Sequence, residues 1–355
     1  MANLKDIIDY NELKKLIDNR YINVQKHPTE DIYLYNYSKS CQLNKIWNDI
    51  TCMCRGLIVD KDLNIISRPF VKFFNYEEIT DKSIIPDLPF EVYEKLDGSL
   101  GIMYWIGDTP YLCTRGSFSS DQALHGTKIL HENYSQYFSQ LDKSKTYLFE
   151  IIWNEDHHCI SYGDLDDIFL IGVIDTETGV EDDIYNWQHI FKCTKRYDGV
   201  TDYLKIRELF SGENREGFVV KFSNNFRIKM KYESYFKIHF LRCMLTPKTV
   251  FAFVSENKLD EARETLKELD EENKIYFEKI VSDFQNKYNE IETNCKNYIE
   301  NLKSKYGENY NTDNKDIIFE IQKEKYACVL FKMFRNMKYD QIIWNLIKKY
   351  IKDME

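Results

Sequence analysis

Glu94-Lys95-Leu96-Asp97-Gly98-Ser99-Leu100, entered through Phe90-Glu91-Val92-Tyr93, is the stretch from which the chain is read. Val92 and Tyr93 favour strand, Asp97-Gly98 is a strong turn signal, and Leu100 to Trp105 resumes an apolar, β-prone run. The pattern predicts a hairpin with Lys95 displayed beside its tight turn. A lysine is a nucleophile only as the free amine. With an ordinary pKa of about 10.4, roughly one molecule in a thousand qualifies at neutral pH unless neighbours lower it. These seven residues alone read more readily as a surface lysine ahead of a type I′ turn, so the surroundings must decide.

Upstream, residues 4–21 carry Leu4, Ile7, Ile8, Leu13, Leu16 and Ile17 near helical spacing and predict one short amphipathic helix. Strands are expected at Ile32–Tyr37, after the Arg55-Gly56 step, and along Ile65 to Asn75. Downstream, Leu112–Phe118 reads as a strand ending in Arg115-Gly116, and Leu124–Phe138 as a helix. Tyr147–Trp153 is an apolar strand with Glu150 at its centre, and Ile168–Ile174 is an uncharged buried strand. Glu216 opens another strand, and Phe226–Lys231 alternates apolar with basic. Beyond Pro247 glycine and strand signals nearly vanish. Phe277, Val281, Phe284, Tyr288, Ile291, Cys295, Tyr298 and Leu302 step by fours and threes, a seam read as an intrachain helical packing rather than a dimeric coiled coil. One or two further helices are expected from Ile317 to Ile351. The class is α+β: antiparallel sheets with flanking helices over residues 1–242, then a smaller all-α domain over 243–355.

With 355 residues, two domains are the natural expectation. The net charge of −10 speaks against wholesale coating of nucleic acid but not against a local basic groove. Nine scattered cysteines suggest reduced thiols. Neither Cys52-Met53-Cys54 nor His157-His158-Cys159 has a partner at zinc spacing, so no zinc site is expected. There is no apolar leader and no membrane-length apolar window, so a soluble, cytoplasmic, monomeric protein is expected.

The chemistry-bearing residues form one set. Strand alternation places Lys229 and Lys231 on one face, where two like charges call for water or an anion. Arg55 and Lys72 add cations; Glu150 and Glu216 add carboxylates within apolar runs. A nucleophile-like lysine with four further cations and two carboxylates suits attack on a polyphosphate, with cations stabilising charge and carboxylates holding a divalent ion. The cations would also depress the Lys95 pKa by like-charge repulsion.

In this order the motifs resemble the covalent nucleotidyltransferases, and most closely RNA ligase family 1, the phage-type ATP-dependent RNA ligases associated with tRNA repair. Lys95-Leu96-Asp97-Gly98-Ser99-Leu100 resembles the nucleotidyl-lysine motif, and Thr114-Arg115-Gly116-Ser117 the second, with arginine where the phage pattern has lysine. Phe149-Glu150, Glu216-Gly217-Phe218-Val219 and Lys229-Met230-Lys231 resemble the third to fifth. Tyr35-Asn36-Tyr37, Cys54-Arg55-Gly56, Ser67-Arg68-Pro69 and Lys72-Phe73-Phe74-Asn75 are similar to the family-1 signature. The resemblance implies an ATP-grasp-like ligase fold, ATP and Mg²⁺ or Mn²⁺ as cofactors, and RNA bearing 5′-phosphate and 3′-hydroxyl ends as substrate, a nicked tRNA among the candidates. It implies Lys95 as the adenylylated nucleophile, Glu150 on the ribose, and Glu216 with Glu150 in metal binding. Lys229 and Lys231 would grip the α-phosphate, Arg55 and Lys72 the outer phosphates or the RNA end, and Tyr35, Glu94, Leu96 and Arg115 would complete the nucleotide site.

Two rivals share much of this pattern. A DNA ligase or capping guanylyltransferase would carry an OB barrel after the fifth motif, where a helical pattern follows here. A non-catalytic RNA-end binder would need no nucleophile. Residues 325–352 hold Lys325, Lys332, Arg335, Lys338, Lys348, Lys349 and Lys352 against Asp340 alone, either a solvated face or an RNA contact.

Overall fold

In the computed structural model, residues 2–153, 155–156, 158–210, 212, 214–236, 239, 245–268 and 271–353 are described. The chain divides into two compact units, Met1–Phe236 and Lys237–Glu355. The expected boundary at 242/243 lies outside the described residues.

The first unit holds three sheets. A meander joins β1 (Ile22–Lys26), β2 (Ile32–Tyr37), β3 (Arg55–Asp60) and β4 (Ile65–Ser67). Alternation sends Tyr35, Leu57 and Val59 to a core shared with Leu13 and Leu16, and Leu34 and Ile58 to another with Ile102, Tyr104 and Leu148. The predicted single helix over 4–21 is broken. A 3₁₀ turn at Leu4–Asp6 precedes a helix at Tyr10–Asp18, because the Asp9 carboxylate accepts from the amides of Asn11 and Glu12 and starts a new helix there.

The second sheet has the order β11 (Glu181–Asp182), β10 (Asp167–Asp175), β9 (Lys145–Ile152), β7 (Ser99–Ile106) and β8 (Thr109–Cys113). The helix Asp121–Tyr134 covers one face of it through Ile129 and Leu130, against Phe149 and Ile151. Glu150, between those two, points the other way. The third sheet runs β5 (Phe74–Asn75), β13 (Arg227–Lys231), β12 (Gly217–Phe222) and β6 (Phe90–Lys95). Its inner face buries Val92, Phe218, Val220, Phe222, Ile228 and Met230.

The expected Lys95 hairpin does not form. β6 pairs with β12, and β7 pairs with β8 and β9, so Leu96-Asp97-Gly98 carries the chain from one sheet to another. Asp97 acts as an anchor rather than a turn former. Its carboxylate accepts from the amides of Cys159 and Ile160 at 2.7 and 3.1 Å and from the Tyr235 hydroxyl at 2.8 Å. Gly98 is required by close approach: a Cβ there would lie 2.4 Å from the Ile151 carbonyl oxygen.

In the second unit the helix Glu271–Tyr306 buries Phe277, Val281, Phe284, Ile291, Cys295 and Leu302. Val250, Phe251, Leu330, Phe334, Ile343 and Ile347 of the same unit pack into the same core, so the seam is filled from within the chain. Beyond it stand three α-helices, Lys315–Gln322, Ala327–Phe334 and Asp340–Ile347, rather than one or two. Asn336, at φ +52, ends the middle one in the left-handed conformation that asparagine tolerates. Among the described residues no helix is long and apolar enough to cross a membrane.

Candidate active site

The site grows from the register of the third sheet. Gly217 pairs with both Lys95 and Lys231, and Val219 with both Tyr93 and Lys229. The three lysines therefore share one face, and Glu216, one residue before β12, reaches between two of them. Its carboxylate, 2% exposed, accepts from Lys95 Nζ at 2.8 Å and pairs with Lys231 Nζ at 2.7 Å. Gly217 permits this: its φ is +148°, and a Cβ would meet the Met230 carbonyl oxygen at 2.2 Å.

Opposite lies the end of β9. Glu150 accepts from the Gly98 amide at 3.0 Å, and the crossover thus ties the Lys95 strand to the Glu150 strand. Arg55 reaches the same space through a bulge. Tyr35 pairs with Leu57 but Asn36 pairs with Arg55, leaving Gly56 as the extra residue at φ +94. In an unbroken strand Arg55 would share the face of Leu57 and point into the α-helical core; the bulge re-aims it. The left-handed φ favours glycine at 56, and a Cβ there would also press on the Arg115 Cα at 3.2 Å.

The result is a cleft of about 210 Å³, lined by Lys95, Arg55, Glu150, Lys229, the Glu94-Leu96 backbone region, and apolar walls that include Phe70, Phe73 and Val219. Its charges are unevenly matched. Lys229 has no ion pair among the described residues. Burial, with the nearby Lys95, Arg55 and Lys72 cations, pushes its ammonium well below the usual lysine range. Burial and Arg115 likewise lower Arg55 despite Tyr37 and Glu150. Lys95 goes the other way, contrary to the expected depression. Burial acts to lower it, but Glu216 and Glu150 outweigh that and hold its pKa above the ordinary lysine value. Glu150 itself is raised, chiefly by burial. The unliganded protein therefore keeps the nucleophile candidate as an ammonium.

Most of the predicted set converges here. Lys72 lies at the edge, its Nζ 4.4 Å from the Trp47 ring, 4.7 Å from Phe74 and 5.4 Å from Tyr37. Arg115 stacks on Tyr37 at 4.6 Å and donates to its hydroxyl. Tyr35 does not belong: it is 8% exposed in the core beneath the helix Tyr10–Asp18, where burial lifts its hydroxyl to about 12. Tyr37, two residues on, is the one beside Lys72 and Arg115. The Glu94 side chain lies on the reverse face of β6 from Lys95, 3.9 Å from Arg215, so only its backbone serves the cleft. Unforeseen are Tyr93, Lys221 and Arg227, which line the far end with Glu181; Arg227 and Lys221 both pair with that carboxylate. The i, i+2 step from Lys229 to Arg227 was the available signal. In the second unit Arg335, Lys338, Lys348 and Lys349 are exposed and Lys332 half-buried, none in an ion pair with a described residue.

The family model described as RNA ligase matches residues 53–238, over half of the chain. The chain belongs to RNA ligase family 1. Relatives of this ligase include an RNA ligase of Rhodothermus phage RM378, 23% identical, with 74% of this chain and 77% of that one covered. A protein of Autographa californica nuclear polyhedrosis virus, named for polynucleotide kinase and RNA ligase, is 23% identical over 67% of this chain; the match spans only 38% of that protein. Among solved structures, an archaeal ATP-dependent RNA ligase aligns at TM-score 0.47 and 13% identity, covering 76% of each chain. A Naegleria gruberi RNA ligase aligns at TM-score 0.34 and 20% identity, over 42% of this chain and 51% of the other.

The residues present suit one kind of metal binding. Among the described residues no group of three His, Cys, Asp or Glu side chains could cage an ion, and His157 lies outside them. Two carboxylates beside a cation-lined cleft fit a divalent ion that shares its coordination with phosphate oxygens.

Proposed function

We propose that Lys95 is the adenylylated nucleophile of this ATP-dependent RNA ligase, and that the ligase joins 5′-phosphate to 3′-hydroxyl RNA ends. The observation that carries the reading is the Lys95–Glu216–Lys231 bridge beside a cleft where Lys229 has no counter-ion among the described residues. A cleft with surplus cations at one lysine fits a nucleoside triphosphate placed with its α-phosphate against that lysine.

In the first step the Lys95 nitrogen attacks the α-phosphorus. The ammonium first gives up one proton to solvent; a P–N bond then forms, the bond to the β-phosphate oxygen breaks, pyrophosphate leaves, and the nitrogen releases a second proton. Lys229 and Lys231 hold the α-phosphate, Arg55 and Lys72 the outer phosphates, and Glu150 the ribose. Glu216 and Glu150 would hold a divalent cation, and its charge would offset the carboxylates that now raise the Lys95 pKa. AMP then passes to the RNA 5′-phosphate, and a 3′-hydroxyl displaces it. The helical residues 243–355 are proposed to select the RNA, and a cleaved tRNA anticodon loop is the first substrate to compare with linear RNA.

The test is transfer of label from α-labelled ATP to the protein. Label should appear with ATP, not with GTP, and vanish in Lys95→Ala. Labelling that survives Lys95→Ala would refute the nucleophile.

A further inference from the structure

Beside the cleft lies a second pocket of about 340 Å³, lined by Asn23, Asn36, Tyr37, Lys39, Gln42 and Arg115 among others. We propose that it holds the 5′-phosphorylated terminal nucleotide of the RNA to be activated, with Arg115 and Lys39 on its phosphate and the side-chain amides on its ribose hydroxyls. This rests on the reading that Lys95 carries AMP.

Three observations support it. The lining has two cations and no carboxylate, and Lys39 forms no ion pair with a described residue. A phosphate is thus favoured at a place where no lining carboxylate offsets the positive charge. Second, Asn36 Oδ1 is buried without a hydrogen-bond partner among the described residues. A buried acceptor calls for an O–H or N–H donor. A ribose brings hydroxyl donors, and the 2′-hydroxyl distinguishes RNA from DNA. Third, the two sites share a wall. Tyr37 takes the hydrogen bond from Arg115 and lies 5.4 Å from Lys72 Nζ, and Tyr37 and Arg115 both act electrostatically on Arg55, which lines the cleft.

The reaction requires that adjacency. A 5′-phosphate oxygen attacks the phosphorus of lysyl-AMP. A P–O bond forms, the P–N bond to Lys95 breaks, and the lysine nitrogen takes up a proton. The incoming phosphate must therefore lie next to the nucleotide. The 3′-hydroxyl of the third step is uncharged and needs no pair of cations.

The test separates the steps. Lys39→Ala, Gln42→Ala and Asn36→Ala proteins are charged with labelled AMP and then mixed, in a single turnover, with a 5′-phosphorylated oligoribonucleotide. Lys39 and Gln42 are exposed, so at least these variants should fold. Lysine labelling should match the unmodified protein, while transfer to RNA slows by about tenfold per lost contact. Asn36→Ala should also narrow the advantage of an RNA donor over an all-deoxy donor of the same sequence. Unchanged transfer would overturn the proposal. So would a defect confined to pyrophosphate-driven loss of label, which would assign the pocket to pyrophosphate. A defect confined to joining a pre-adenylylated RNA to a 3′-hydroxyl strand would assign it to the acceptor end. Failure of the unmodified protein to take label would instead strike at Lys95.

Discussion

Lys229→Met separates a binding cation from a structural one. In the free protein Lys229 is half-buried among Lys95, Arg55, Lys72 and Lys231, with no counter-ion among the described residues, and its pKa is held well below the lysine range by burial first and those cations second. The folded state therefore resists protonating this residue while the unfolded state does not. At neutral pH that mismatch costs stability. The cost disappears as pH rises from the folded pKa toward the unfolded value of 10.5. Methionine fills a similar volume without charge. Desolvating an unpaired ion costs several kcal/mol when complete; with partial solvent access a gain of about 1–2 kcal/mol is expected on replacement. For a unit the size of Met1–Phe236 this corresponds to about 2–8 °C in melting temperature. The assay is calorimetry of both proteins at pH 7 and pH 10, with and without pyrophosphate. Lys229→Met should melt higher at pH 7, lose that advantage at pH 10, lose the pyrophosphate-induced shift, and take AMP label about a hundredfold more slowly. A variant that melts at or below the unmodified protein and labels normally would refute the reasoning.

Glu216→Gln removes the carboxylate that holds two ammoniums. Loss of about 2–3 kcal/mol is expected, less than for a fully buried pair because both lysines keep some solvent; calorimetry and label transfer should both fall. Gly98→Ala would place a methyl 2.4 Å from the Ile151 carbonyl oxygen and 2.9 Å from Glu150 Cγ. Label transfer should drop by about a hundredfold, because the lysine strand must shift against the glutamate strand; wild-type labelling would show that the crossover tolerates movement. Lys348→Glu with Lys349→Glu should leave lysine labelling intact but weaken RNA binding and lower its salt slope by about 1–2. An unchanged slope in a binding titration would mark those lysines as a solvated face.

The motifs were legible because they are short and local, and their convergence follows from strand register. Lys229 and Lys231 are two apart on one strand, so their common face needed no structure, and the same rule extended by two would have found Arg227. The heptad seam was legible for a similar reason: Phe277 to Leu302 repeat within one helix, and its partners lie in the same chain. What failed depends on pairing between distant segments. Asp97-Gly98 carries a turn signature, but a turn becomes a hairpin only if its flanking strands prefer each other. Here β6 finds β12 more than a hundred residues away, and β7 finds β9. Tyr35 and Tyr37 are equivalent in a string of letters, and only the bulge at Gly56, visible from the pairing of β2 with β3, shows the register break beside them.

The sign of the Lys95 pKa is the sharpest case. Counting charges in the sequence weighs four cations against two carboxylates and predicts depression. Coulomb energy depends on distance and surroundings, not on counts. Glu216 is 2.8 Å from the ammonium and almost wholly buried, Gly98 holds Glu150 in place on the other side, and the surplus repulsion falls on Lys229 instead. The cationic pocket thus favours the ammonium form at the nucleophile candidate Lys95 and disfavours it at Lys229. An arriving polyphosphate would favour proton uptake at Lys229, while a dication on the carboxylates would favour proton loss at Lys95. Isothermal titration of pyrophosphate in buffers of different ionisation enthalpy, without and then with a divalent ion, should show net proton uptake in the first case and less in the second. Equal proton uptake in both would mean that the carboxylates do not hold the ion.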